Sequence, residues 1–345
     1  TGILSRTKMN ADKVIIIAEA GVNHNGDLDM ARRMVAEARK AGADYVKFQT
    51  AVPELVISTY APKAEYQKET TGSGQSQLEM CKAIHLPLSD YAGLAELCRR
   101  EGIGFMSTPF DLTSIDCLAE IGMDYWKIPS GEITNLPYLR KIGAIGAKII
   151  MSTGMASLAE VEDAVNILEK AGTPRSRIWL LHCTTQYPAP YESVNLRAMD
   201  ALATLGCAGV GYSDHTVGTD IAVAAVARGA RIVEKHFTLD RNLPGPDHRA
   251  SLEPWQLAEL VSAIRRTQAA LGDGVKEAAD AERPNIDIAR KSIVAIRPIA
   301  KGEIFTEDNI YCKRPGGGIS PMRWDEVIGR PAPRDFAPDE LITLD

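Results

Sequence analysis

The sequence has no cysteine pair at CxxC spacing, no basic excess and no apolar run near the roughly 20 residues a membrane span needs. Each absence excludes a class. The six cysteines (Cys81, Cys98, Cys117, Cys183, Cys207, Cys312) are scattered, so we read them as reduced thiols of a cytosolic protein rather than a disulfide framework. A net charge of −6 argues against general nucleic-acid binding but leaves room for a local basic pocket that takes an anion. The first thirteen residues are polar and hold no apolar signal core, so a cytoplasmic protein free of the membrane is expected. No Walker A sequence supports nucleotide phosphate binding.

What is present is 345 residues with 45% hydrophobic and 24% charged, the balance of a globular chain with a large domain and a small one. From Val14 to about Leu271, short β-branched runs alternate with helical stretches. The expected strands are Val14–Ala18, Tyr45–Phe48, Gly104–Ser107, Tyr125–Ile128, Lys148–Met151, Ile178–Leu181, Gly209–Gly211 and Ile232–Glu234. Amphipathic helices are expected over Leu28–Ala41, stopped by Gly42, and over Leu158–Ala171, opened by Ser157 and Glu160 as a capping box. A third is expected over Ser251–Leu271. Eight such units make a (β/α)8 TIM barrel over residues 1–272. A doubly wound open sheet would want GxGxxG after the first strand, and the chain reads Glu19-Ala20-Gly21-Val22-Asn23-His24 there.

The style then changes. Residues 273–287 read as a charged, Ala-rich linker. Residues 288–345 carry Pro298, Gly302, Pro315, Gly316, Gly317, Gly318, Pro321, Pro331, Pro333 and Pro338 among short apolar pieces. A small, irregular β-rich domain is expected, too slight to stand without docking on another surface.

A barrel keeps its chemistry at strand C-termini. Polar residues gather there: Glu19, Lys47 and Gln49, Ser107-Thr108, Lys127 with Ser130-Gly131-Glu132, Ser152-Thr153-Gly154, Thr184-Thr185-Gln186-Tyr187, Ser213-Asp214-His215 and Glu234-Lys235-His236. His215 and His236 end adjacent strands, roughly 5 Å apart, and are candidate ligands of one divalent metal with open positions. Two protein ligands suit a labile Mn²⁺ site best, with Mg²⁺ or Co²⁺ as alternatives to closed structural zinc. His24 reads as a loop-ordering residue. Lys47, Thr108, Lys127, Ser130, Ser152 and Ser213 suit a compact dianion with a carboxylate and a phosphate. Gly131 and Gly154 would let backbone N–H groups approach it.

Several stretches together resemble the sialic acid synthase family. They are Ile16 to Asp27 (IIAEAGVNHNGD), Val46-Lys47-Phe48-Gln49, Lys127 to Glu132 (KIPSGE), Gly211 to Thr216 (GYSDHT) and Glu234-Lys235-His236-Phe237. From Lys291 on, with Lys313-Arg314-Pro315-Gly316, the tail is similar to that family's antifreeze-like (SAF, β-clip) domain. Lys63 to Lys68 and Ser76 to Met80 look closer to its N,N′-diacetyllegionaminate synthases than to its N-acetylneuraminate synthases. The loop Thr184 to Tyr187 lacks an Asn that family members often carry.

The resemblance implies a metal-dependent transferase that condenses phosphoenolpyruvate with an N-acylated mannosamine-type sugar, giving a nine-carbon 2-keto acid and phosphate. It implies that His215 and His236 bind the metal, and that Lys47, Thr108, Lys127, Ser130, Ser152 and Ser213 hold phosphoenolpyruvate. Glu19, Gln49, Tyr187 and Asp247 would face the sugar, and Thr185 adds to the substrate site. It further implies a domain-swapped homodimer in which Arg314 reaches the N-acyl group in the other subunit's barrel. Glu19 and Glu132 are the candidates for moving protons. Two rival readings are a Schiff-base aldolase at Lys127, whose surroundings offer no obvious apolar setting to lower its pKa, and a sugar- or ice-binding module on the tail. The tail lacks a regular threonine array.

Overall fold

The computed structural model describes residues 13–62 and 76–345; the Lys63–Lys68 stretch and Thr1–Asn10 lie outside the described residues. The chain divides into two compact units, Thr1–Asp273 and Gly274–Asp345.

The first unit is an eight-stranded parallel ring: β1 (Ile15–Gly21), β2 (Tyr45–Thr50), β3 (Gly104–Pro109), β4 (Tyr125–Ile128), β5 (Lys148–Ser152), β6 (Ile178–Cys183), β7 (Gly209–Asp214) and β8 (Ile232–His236). The hydrogen-bonded order is β3-β2-β1-β8-β7-β6-β5-β4, and β3 packs beside β4 to close the ring. This is the expected TIM-type barrel. Six strands run one to three residues past their expected ends. The extra residues are polar, so the apolar run stops while the ladder continues.

Alternation explains what those extra residues are. Inside the ring, Ile17, Met106, Tyr125, Ile150, Leu181 and Ile232 pack into an apolar plug. Two residues on, and so on the same face of each strand, come Glu19, Thr108, Lys127, Ser152, Cys183 and Glu234. In this layer β7 carries Gly211, where a Cβ would lie 2.4 Å from Ile232 O and 2.6 Å from Leu181 Cδ2. Only glycine fits there, and Ser213 follows two residues later. The plug thus forms the floor of a polar chamber.

A second apolar layer lies between strands and helices. The helix Leu28–Ala41 buries Ala31, Met34, Val35 and Ala38; Asp27 caps it, and Gly42 ends it at φ 87°. The helix Leu158–Ala171 opens with the expected Ser157–Glu160 capping box. The last barrel helix differs from expectation: it is Pro254–Leu271, capped by Glu253 and Gln256 with Pro254 in its first turn. Ser251 instead donates to Asp247 O at 2.7 Å and accepts from Asn23 Nδ2 at 2.9 Å.

The second unit holds a short helix, Arg283–Ala289, inside the stretch read as linker. It continues as an antiparallel pair, β9 (Ser292–Ala295) and β10 (Ile310–Lys313), with isolated bridges such as Ile299 to Phe336. Its core is Ile293, Ile299, Phe305, Ile310, Val327, Phe336 and Ile342 with two alanines. All six cysteines are free. No helix among the described residues is long and apolar enough to cross a membrane.

Candidate active site

The polar chamber is a cavity of about 290 Å³, near the lower end for small-molecule sites. Every barrel residue singled out from the sequence lines it except Glu132. Glu132 sits one turn beyond Ser130 and accepts from Asn135 Nδ2 at 2.6 Å. Arg314 lies in the second unit, where its Nε donates to Ala289 O at 3.1 Å.

Two buried lysines organise the floor. Lys47 Nζ stands 2.8 Å from Glu19 Oε2, donates to Thr108 Oγ1 at 3.0 Å and lies 3.6 Å from Glu234 Oε2. Lys127 Nζ donates to Ser152 Oγ at 2.8 Å and lies 3.7 Å from Glu234 Oε1, which also accepts from Ser213 Oγ at 3.0 Å. Glu234 was not among the residues singled out for a role. The alternation rule could have found it, because it lies two before His236 and opposite Ser213 in the β7–β8 register.

The carboxylates are driven apart. Burial raises the Glu19 pKa, and Lys47 offsets this only in part. Burial also works against Glu234, yet Lys127 and Lys47 outweigh it and hold Glu234 ionised. Burial pulls Lys47 down, but Glu19 and Glu234 carry it above the usual lysine value. Lys127 is pulled down by burial with Glu234 resisting, contrary to the expectation that nothing near it would do so. With a proton on Glu19, two ammonium groups face one carboxylate, and the floor carries an excess of positive charge. It is an anion receptor.

The anion side is completed by loops. Gly154 N donates to Ser130 Oγ at 2.9 Å, and Ser130 Oγ lies 3.2 Å from Cys183 Sγ. A Cβ at Gly154 would meet Thr185 Cγ2 at 2.6 Å and both Cys183 Sγ and Ser130 Oγ at 3.0 Å. The backbone can come this close only as glycine.

The histidines form the opposite wall. Their ring centroids are 5.5 Å apart, and Tyr187 stacks on His215 at 4.1 Å. His215 Nδ1 bonds to Thr184 O at 2.6 Å. A carbonyl only accepts, so Nδ1 carries the hydrogen and Nε2 keeps its lone pair. Burial lowers the His215 pKa to about 4 and the His236 pKa well below its ordinary value, so both are neutral near pH 7. His236 Nδ1 is buried without a hydrogen-bond partner. Neutral imidazoles with an orphaned nitrogen and a free lone pair are a donor set that suits a divalent cation. Among the described residues, no third His, Cys, Asp or Glu joins them as a closed cage.

His24 accepts from Gly26 N at 3.1 Å and orders its own loop. Asp247 closes the rim, its pKa raised to about 6 by burial. Sequence reasoning missed one wall, the helix Gln77–Ile84, which contributes Met80, Cys81 and Ile84. Its signal was present, since Ser76 and Glu79 form a capping box.

Residues 34–276 match the model of the NeuB family, and residues 290–345 that of the SAF domain. The N,N′-diacetyllegionaminic acid synthase of Campylobacter jejuni is 54% identical over 96% of this chain and 99% of its own length. The enzyme of the same description from Legionella pneumophila is 45% identical over 91% of this chain and 89% of its own. A crystal structure of N-acetylneuraminic acid (sialic acid) synthetase from Leptospira borgpetersenii, in complex with citrate, matches at TM-score 0.68 and 37% identity. It covers 79% of this chain and 90% of that one.

Proposed function

The chain belongs to the NeuB family, and on that premise we propose that it is an N,N′-diacetyllegionaminic acid synthase. It condenses phosphoenolpyruvate with 2,4-diacetamido-2,4,6-trideoxymannose, releasing phosphate and a nine-carbon 2-keto acid. The observation that carries the reaction class is the floor of the chamber, where Lys47 and Lys127 converge on Glu234 opposite two neutral imidazoles. The choice of sugar rests on the two legionaminic acid synthases at 54% and 45% identity.

Lys47 and Lys127 bind the phosphate and carboxylate of phosphoenolpyruvate and neutralise the charge that grows on the leaving phosphate. Thr108 and Ser152 accept from these lysines, so their own O–H groups stay free to donate to the anion. His215 and His236 are the residues that would hold Mn²⁺, or Mg²⁺ or Co²⁺ in its place. Such a cation, when bound, supplies Lewis-acid polarisation of the sugar aldehyde. As C3 of phosphoenolpyruvate bonds to the aldehyde carbon, C2 takes up water and then loses phosphate. Glu19 is the group that holds and moves the proton in these steps, because burial keeps it protonated nearer neutrality while Glu234 remains the fixed anion. Glu132 is turned to Asn135 and is left without this role. Gln49, Thr185, Tyr187 and Asp247 face the sugar, and Arg314 of the partner subunit in a homodimer meets its N-acyl group.

Phosphate release with each sugar tests the reading. We expect turnover with 2,4-diacetamido-2,4,6-trideoxymannose and much less with N-acetylmannosamine. Preference for N-acetylmannosamine overturns the sugar, and no release with either overturns the reaction. His215→Ala is expected to abolish turnover, and chelation to do so reversibly. The lowered Lys127 pKa favours one rival, a Schiff-base aldolase. Borohydride trapping with pyruvate is expected to leave the chain unmodified; an adduct would support that rival.

A further inference from the structure

One buried ion pair belongs to no step above. Asp214 and Lys235 are the last paired residues of the β7–β8 ladder, on the opposite strand face from Ser213 and Glu234. Neither lines the chamber. Lys235 Nζ lies 2.7 Å from Asp214 Oδ2 with both side chains at most 1% exposed. Lys235 Nζ also donates to Thr216 O at 2.6 Å. Asp214 Oδ1 accepts from Thr216 N at 2.9 Å and from Thr216 Oγ1 at 2.8 Å.

These bonds have a common geometry. They tie residue 214 to residue 216 on both sides of His215, and tie that knot to the residue before His236. His215 lies one residue beyond the end of β7, so the ladder no longer fixes it. Its remaining anchors, Thr184 O on its ring and Ala189 N on its carbonyl, come from a loop rather than from β8. Only the Asp214–Lys235 knot refers the position of His215 to that of His236. Two apolar side chains of similar volume would hold the strands together without desolvating two charges. They could not hold the backbone of Thr216.

We propose that Asp214 and Lys235 are positioning residues that set the spacing of His215 and His236, and so the affinity of the chamber for a divalent cation. The proposal rests on the metal reading above, and its test separates the two. Mn²⁺ binding to the metal-free protein is measured by the electron paramagnetic resonance signal of free Mn²⁺, alongside thermal unfolding and phosphoenolpyruvate binding. The wild type is expected to bind one Mn²⁺ that His215→Ala and His236→Ala each lose. The double variant Asp214→Leu/Lys235→Met is expected to keep its melting temperature and its phosphoenolpyruvate affinity. Its Mn²⁺ affinity should fall by about ten- to a hundredfold, as for other residues that orient metal ligands. A merely structural pair predicts the reverse, a shifted melting temperature with Mn²⁺ affinity unchanged. Wild-type Mn²⁺ affinity in the double variant overturns the positioning role and leaves the metal reading standing. Absence of histidine-dependent Mn²⁺ binding in the wild type overturns both. If the double variant does not fold, Thr216→Val removes one bond of the knot; weaker Mn²⁺ binding supports the proposal, and wild-type binding overturns it.

Discussion

Asp247 carries a carboxyl that burial alone lifts from an ordinary 3.8 to about 6. The folded chain therefore holds a proton that the unfolded chain releases from about pH 4 upward. The sign follows. More protons are bound folded than unfolded between about pH 4 and 6, so stability falls as pH rises through that window and is level above it. Asp247→Asn removes the titration. It is expected to stabilise the chain above about pH 7 by up to roughly 3 kcal/mol, a two-unit shift at about 1.4 kcal/mol each. The gain should shrink to nothing near pH 4, as urea midpoints across that range would show. The same variant is expected to raise KM for the sugar, because an amide presents one acceptor where the carboxylate presents two. A stabilising change that harms binding marks a residue kept for function. Equal stability of variant and wild type above pH 7 would mean that the carboxyl is relieved by a partner.

At the scale of elements, strand starts were legible and strand ends were not. A start such as Tyr45 or Gly104 is announced by an apolar run after a turn. An end such as Glu19 or Asp214 is polar because it lines a chamber, and polarity reads as the end of a strand unless the ladder is known. Glu234 escaped for the same reason, whereas His236 was found because histidine advertises itself. Counting back by two from each conspicuous rim residue recovers the plug, and the plug identifies which polar residues point inward. The helix Gln77–Ile84 escaped because its apolar face serves the chamber and not the barrel core. The loops are the elements most exposed to single changes. Gly154→Ala would press a methyl against Ser130 Oγ, Cys183 Sγ and Thr185 Cγ2 while leaving the strands untouched. We expect a folded protein with an unchanged melting temperature and a KM for phosphoenolpyruvate about ten- to a hundredfold higher, the scale of a misplacement near 1 Å. An unchanged KM would remove Ser130 from the anion site.

At the scale of the molecule, the second unit has a small core, Phe305 and Phe336 among a few aliphatic side chains. It leaves Ile288, Tyr311 and Met322 largely exposed on a single chain. Such a domain gains from docking on another surface. In the proposed homodimer, that surface is the partner's barrel, and Arg314 crosses to it. Arg314→Ala and His215→Ala each leave a homodimer without a complete site. In a dimer formed from one chain of each kind, the barrel that keeps His215 would receive Arg314 from its partner, while the other barrel stays inactive. Random pairing makes half of all dimers mixed, each with one working site of two, so co-expression is expected to restore about a quarter of wild-type turnover. If Arg314 served its own barrel, every site in the mixed dimer would lack either the histidine or the arginine, and co-expression would restore nothing. Purifying the mixed dimer on two different affinity tags doubles the expected turnover per dimer to about one half. That result is hard to obtain from any arrangement in which the arginine stays at home.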